Sequence, residues 1–133
     1  MVPSSRRSRS LIGASALLWA SCATVTDGQY WIRTELYFGT QVDGHGVVTD
    51  SDWKAFLAEV VTPRFPKGLT VLEGTGQWLG QQGPVHEQTH VLIVYHPWSA
   101  EINNAIEDIR RIYRDRFHQE SVMRVSEHAI VAF

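Results

Sequence analysis

A chain of 133 residues, 44% hydrophobic and 20% charged, holds enough apolar bulk for one globular domain. The formal net charge is −2, and no basic run stands outside the N-terminal leader and the second predicted helix, which argues against nucleic-acid binding. One cysteine, Cys22, excludes an internal disulfide.

Residues 1–22 read as an export signal. Arg6, Arg7 and Arg9 give a basic start, residues 11–20 an apolar run, and Ser21-Cys22 a small-residue cleavage region. The run is about ten residues, well short of the ~20 that a membrane-spanning helix needs. Arg9 stands where a twin-arginine signal would carry a hydrophobic residue. Trp19-Ala20-Ser21-Cys22 resembles a lipobox, so Cys22 is the expected lipidation site. An ordinary signal peptide cut near Ala20 or Ala23 is the alternative. Three of the 12 basic residues lie in the leader, so nine remain against 14 acidic ones, a net charge of −5. Residues 23–30 form a polar spacer, and residues 31–133 the domain.

The first strand is predicted over 31–38. Thr34, Leu36 and Phe38 share one face, and Arg33, Glu35 and Tyr37 the other. Gly39 ends it. Asp43-Gly44-His45-Gly46 marks a turn. Thr49 is the expected N-cap of a helix, with Asp52 in capping-box position and Trp53, Phe56, Leu57 and Val60 on one face. Thr62-Pro63 stops it. A second strand is predicted over 69–78, where Gly74 and Gly76 suggest a bulge or a close backbone approach. A hairpin loop at 80–83 leads to a third strand over 85–95, whose apolar stretch Val91-Leu92-Ile93-Val94 fits burial on both faces. Ser99 caps the second helix, with a stripe through Ile102, Ile106, Ile109, Tyr113 and Phe117. Glu107 and Arg111 are spaced to pair, and Arg110, Arg111, Arg114 and Arg116 read as a solvated face. A fourth strand covers 121–125, and residues 129–133 either continue it past a kink or add a short fifth. The order β-α-β-β-α-β, with two single-stripe helices, predicts an α+β ferredoxin-like sandwich. In it both helices lie on one face of an antiparallel sheet and strands one and three are central.

No strong catalytic or metal motif is present. A calcium loop beginning at Gln41 would place His45 at the third ligand position, the fifth residue of the loop, and Asp52, not Glu, at the last. His86, His90 and His96 lie along one strand. His90 and His96 would stand ~20 Å apart, at ~3.3 Å per residue, so one metal cannot bridge them. They read as rim histidines, with no metal and no cofactor expected. The remaining constellation is Arg33, Glu35 and Tyr37 on the open sheet face, joined by Arg124 from strand four. It is either a structural ion network or an anion- or carboxylate-binding pocket. Glu35 is the only acid/base candidate, and it lacks an evident partner base. Trp78, Tyr95 and Trp98 are expected near that face or its rim.

Arg33-Thr34-Glu35-Leu36-Tyr37-Phe38-Gly39, Val61-Thr62-Pro63-Arg64-Phe65-Pro66, Gly68-Leu69-Thr70-Val71, Gly76-Gln77-Trp78 and Gln119-Glu120-Ser121-Val122 occur in order, with Arg124-Val125 closing the series. In these motifs the chain resembles a bacterial family of exported domains of unknown function, many of which look like lipoproteins. The resemblance implies export and a single domain, and brings no activity or site residues. The expectation is therefore an exported, periplasmic, lipid-anchored binding or envelope-interaction module working through the open sheet face. Its apolar residues would be covered by a second copy or an envelope protein. The alternative is a small cofactor-independent enzyme of the dimeric α+β barrel type.

Overall fold

Strand β1, Gln29–Gly39, starts ahead of the expected residue 31 and runs through the middle of the sheet. The computed structural model describes residues 27–42, 46–80 and 83–133. The leader, Cys22, residues 23–26 of the spacer and Asp43-Gly44-His45 lie outside them. Beyond β1 come a small antiparallel pair, β2 (Gln41–Val42) and β3 (Gly46–Val47), and helix α1 (Asp50–Phe56). Strands β4 (Thr70–Gly80) and β5 (Gly83–His96), helix α2 (Ala100–Phe117) and strand β6 (Met123–Val131) complete the order. The main sheet runs β4-β5-β1-β6, antiparallel throughout. β6 pairs with β1 from Tyr37↔Met123 to Gln29↔Val131, so the fourth strand is one continuous element without the expected kink. The chain is a small α+β domain of four sheet strands and two helices.

The period-two pattern of β1 sets the core. Thr34, Leu36 and Phe38 are buried beneath the helices, while Arg33, Glu35 and Tyr37 stay half-exposed on the opposite face. Phe38 meets Tyr113, Trp53 and Phe56 at ring-centroid distances of 4.7, 5.2 and 5.9 Å. Leu92, Val94, Ile106 and Ile109 fill the space around them.

Both helix starts follow the sequence. The Thr49 hydroxyl accepts from the Asp52 amide, and the Asp52 carboxylate accepts from the Thr49 amide at 3.0 Å. Ser99 accepts from the Ile102 amide at 3.1 Å. The end of α1 adds a feature that helical spacing does not reveal. The chain widens into a π turn over Leu57–Val61, closed by the Thr62 amide on the Leu57 carbonyl. The wider turn brings both Val60 and Val61 into the core.

Three expectations change. First, Arg124 pairs across the ladder with Leu36, so it lies on the helix side of the sheet and not on the open face. Its guanidinium donates to Asn103 Oδ1 and Glu107 Oε1, both at 2.8 Å. Burial disfavours the Glu107 carboxylate, but hydrogen bonds and charge from Arg124 and Arg110 outweigh it and hold Glu107 below its usual range. Glu107 therefore pairs with Arg110 and Arg124, while Arg111 reaches Asp108 and Asp115. Because Arg124 is still partly solvated, Arg124→Ala is expected to cost only about 1 kcal/mol in a denaturation experiment. Second, the β4–β5 register runs unbroken from Thr70↔Ile93 to Gly80↔Gly83, so there is no bulge.

Third, His90 and His96 are buried rather than on the rim. His96 Nε2 and Thr34 Oγ1 are 3.0 Å apart. The His90 ring stacks on Trp53 at 4.3 Å with planes 3° apart. Burial lowers the His90 pKa, against the attraction of Glu73 and Asp50. The unfolded chain therefore takes up this proton near pH 6.5, before the folded one does. The His90 contribution is fully present above that pH and shrinks as pH falls below it. His90→Phe keeps the stack, and its stability is expected to fall less steeply between pH 6.5 and 5 in urea titrations.

Candidate functional site

The open face of the sheet carries two joined features. The first is an ion row. Arg33 stands opposite Glu127 across the β1–β6 ladder and opposite Tyr95 across the β1–β5 ladder. Its guanidinium pairs with Glu35 on its own strand and donates to Glu127 at 2.8 Å. The Tyr37 hydroxyl donates to Glu35 at 2.5 Å. The hydrogen bond and charge of Glu127, with the charge of Glu35, raise the Arg33 pKa against desolvation. The bond to Glu35, with burial, raises that of Tyr37. Both carboxylates face a cation or a phenol, so the row is occupied within the chain. That arrangement is what a structural network requires, and it leaves Glu35 poorly placed to take a substrate proton.

The second feature is a cleft at the end of β1. β1 stops opposite Thr89, while the β4–β5 ribbon continues to its tip at Gly80↔Gly83. The overhanging ribbon forms one wall, and the chain after α2 forms the other. Between them is a cavity of about 430 Å³ lined by residues that include Tyr37, Trp78, Val85, Glu87, Thr89 and Met123. Glu87 is held from two sides. Trp78 Nε1 donates to its Oε1, and the Gln41 amide donates to its Oε2, each at 2.9 Å. Two glycines clear the space. A Cβ on Gly39 would lie 2.6 Å from Glu87 Oε1, and one on Gly76 would lie 2.6 Å from Thr89 Oγ1. The close approach anticipated at Gly76 is thus explained by side chains of the neighbouring strand. The Tyr113 hydroxyl donates to the Gly39 carbonyl at 2.8 Å, which ties the cleft's edge to the core.

Tyr37 belongs to both features: its hydroxyl bonds Glu35 in the ion row, and the residue also lines the cleft. Trp78 joins it in the cleft. Tyr95 is exposed on the open face outside the cleft, Trp98 is exposed in the turn before α2, and Arg124 is on the other side of the sheet. The sequence reading passed over Glu87. Its signal is the pairing of Gly80 with Gly83, whose register sets Gly76 opposite Glu87. A carboxylate facing a strand glycine has room for a fixed rotamer or a ligand. Among the described residues no three His, Cys, Asp or Glu side chains are arranged to hold a metal ion.

No curated protein matches the chain. Four solved chains match its fold, among them two of a phage SAM lyase. A phage SAM lyase in complex with S-methyl-5′-thioadenosine is 16% identical, with a TM-score of 0.59 over 77% of this chain and 90% of the lyase. A phage SAM lyase in the apo state is 17% identical, with a TM-score of 0.58 over 77% and 85% of the respective chains. The model of the family described as "Protein of unknown function (DUF3574)" matches residues 33–133, beginning at the ion-row arginine, and the chain belongs to that family.

Proposed function

We propose that this domain is an exported small-molecule-binding module whose ligand seats in the Glu87 cleft. One observation carries the reading. A carboxylate fixed by Trp78 Nε1 and the Gln41 amide faces a cleft walled by aromatic rings and cleared by Gly39 and Gly76. Such a site suits a ligand with a flat ring and an N–H donor, because the ring can stack while the donor meets the carboxylate. The shared fold with a lyase that holds S-methyl-5′-thioadenosine supplies a probe with both features.

The rest of the reading follows the same chain. Strand order β4-β5-β1-β6 under two helices supports a ferredoxin-like sandwich. The leader and Cys22 support export and a lipid anchor on the periplasmic side. Leu72, Tyr95, Met123 and Val125 are exposed on the open face beside the ion row, and a second copy is the proposed cover. Native mass spectrometry of the purified protein checks this, and a monomer at micromolar concentration contradicts it.

The ligand test is a fluorescence and calorimetric titration with S-methyl-5′-thioadenosine and adenosine. Saturable binding is expected, with a change in tryptophan emission that disappears in Trp78→Phe. Glu87→Ala is expected to weaken binding at least tenfold while leaving circular dichroism unchanged. No binding of either compound, or equal binding by Glu87→Ala, contradicts the proposal. An enzyme acting in the same cleft is the second reading, favoured by the lyase fold. Its test is incubation with S-adenosylmethionine and mass spectrometry for S-methyl-5′-thioadenosine. Failure to form product removes the lyase reading and leaves the binding one standing.

A further inference from the structure

The end of the sheet opposite the Glu87 cleft is apolar and exposed. There β1 begins, β6 finishes and β5 hands over to the turn before α2. Tyr30 and Ile130 face each other across the β1–β6 ladder, and Tyr30 is 82% exposed. His96, the last residue of β5, pairs with Ile32. Trp98 follows two residues later and is 78% exposed. Trp31, on the other face of β1, meets the exposed Phe133 with ring centroids 5.5 Å apart. Tyr30 and Ile130 share the parity of Leu36 and Arg124, so they lie away from the open face proposed for a second copy. Charge is sparse here. Within residues 27–33, 95–102 and 127–133 the one lysine or arginine is Arg33, and Glu35 and Glu127 engage it. The chain ahead of this end is short. Asp27 stands five residues after Cys22, a reach of at most ~18 Å at ~3.6 Å per residue. With 11 residues, β1 is about 35 Å long. A lipid on Cys22 would therefore hold the Gln29 end of β1, and not the Gly39 end, beside a bilayer.

We propose that this aromatic end docks on the membrane surface itself, with Tyr30, Trp98 and Ile130 seated among the lipid headgroups. The inference rests on the Cys22 anchor proposed above. Tyr and Trp side chains suit that layer, because each has an apolar body and a polar tip. With no basic cluster at this end, the contact runs through the side chains' apolar surface and not through attraction to anionic lipid. The anchor supplies the rest. A contact too weak to hold a free domain becomes effective when a short tether keeps it at high local concentration. Docking in this way sets the orientation of the domain. The Glu87 cleft, at the other end of β1, then faces away from the bilayer, where a small ligand can enter.

The test uses the full chain, purified from membranes in its processed form and placed in phosphatidylcholine vesicles. The acyl chains carry bromine near the headgroup, where it quenches tryptophan at short range. Four tryptophans follow the leader, and Trp98 is the most exposed of them, so emission is expected to fall by about a quarter relative to unbrominated vesicles. Trp98→Phe is expected to remove most of that loss. The double variant Tyr30→Ser with Ile130→Ser is expected to reduce it at least twofold, with Trp98 still present to report it and circular dichroism unchanged. Leu79→Ser, an exposed site at the far tip of the β4–β5 ribbon, is expected to leave it unaltered. Added phosphatidylglycerol or raised salt is likewise expected to have no effect. Intact mass reports the anchor separately. An acylated chain without quenching overturns the docking and leaves the anchor standing. A chain without an acyl group overturns both. Quenching that requires anionic lipid, or that persists in Trp98→Phe and in the double variant, also overturns the docking. The Glu87 cleft is untouched by any of these results, since its own titration decides it.

Discussion

Replacing Phe38 with Ala is expected to remove about 3–5 kcal/mol of stability. Phe38 is fully buried on the central strand, and its ring touches three other aromatic rings from both helices. Nothing adjacent can fill the space. β1 is hydrogen-bonded to a strand on each side, so the backbone cannot collapse inward, and Tyr113 is tethered through its hydroxyl to the Gly39 carbonyl. A cavity of that kind carries both the lost transfer energy and the lost contacts of its lining. Domains of this size have a total stability of about 5–15 kcal/mol, so the variant is expected to sit close to unfolding. Phe38→Leu keeps most of the volume and is expected to lose under about 2 kcal/mol. Urea denaturation monitored by tryptophan fluorescence checks both. A loss below about 1.5 kcal/mol for Phe38→Ala would mean that the ring cluster is not the centre of the core.

What the sequence made legible was local. The alternation of Thr34, Leu36 and Phe38 with Arg33, Glu35 and Tyr37 told which face of β1 is core, because side-chain direction in a strand has a period of two. Thr49 with Asp52, and Ser99 before an apolar stripe, marked two helix starts, because capping chemistry lies within a few residues. What failed was non-local. Strand parity groups Val122 with the polar Arg124 and Ser126, which suggested an outer face for all three. Val122 precedes β6 and drops into the core, while β6 takes its parity from its pairing with β1. Arg124 then faces the helices, and its long side chain carries the charge to Asn103 and Glu107 at the edge. His90 and His96 were misplaced for a related reason. Polarity suggested the rim, but they alternate with Leu92 and Val94 toward the core, where a stack on Trp53 and a bond to Thr34 satisfy the rings in part. The cleft needed two registers at once. Only where β1 ends while β4 and β5 continue does Glu87 find a free edge, and no single segment encodes that.

Gly39→Ala separates the cleft from the fold. Its new Cβ would stand 2.6 and 2.8 Å from the two carboxylate oxygens of Glu87, closer than atoms can approach. Gly39 lies in regular strand backbone, and its φ is not in the left-handed region, so alanine brings no conformational strain. The obstacle is the far end of a flexible side chain, which can swing away. Two opposing stability effects follow. Losing the bonds from Trp78 Nε1 and the Gln41 amide costs about 1–3 kcal/mol, because the acceptor is charged. Restricting the unfolded chain returns about 0.4–1 kcal/mol. The net loss is expected to be about 1–2 kcal/mol, well below that of Phe38→Ala. Ligand binding responds differently. The displaced carboxylate no longer faces the cleft in a fixed position, and the affinity for S-methyl-5′-thioadenosine is expected to fall at least tenfold. The comparison with Glu87→Ala sharpens the test. If Glu87 is the anchor, adding Gly39→Ala to Glu87→Ala weakens binding no further, because the group it displaces is already gone. If Gly39→Ala alone binds as tightly as the native chain, Glu87 does not hold the ligand, and the cleft reading fails while the fold stands.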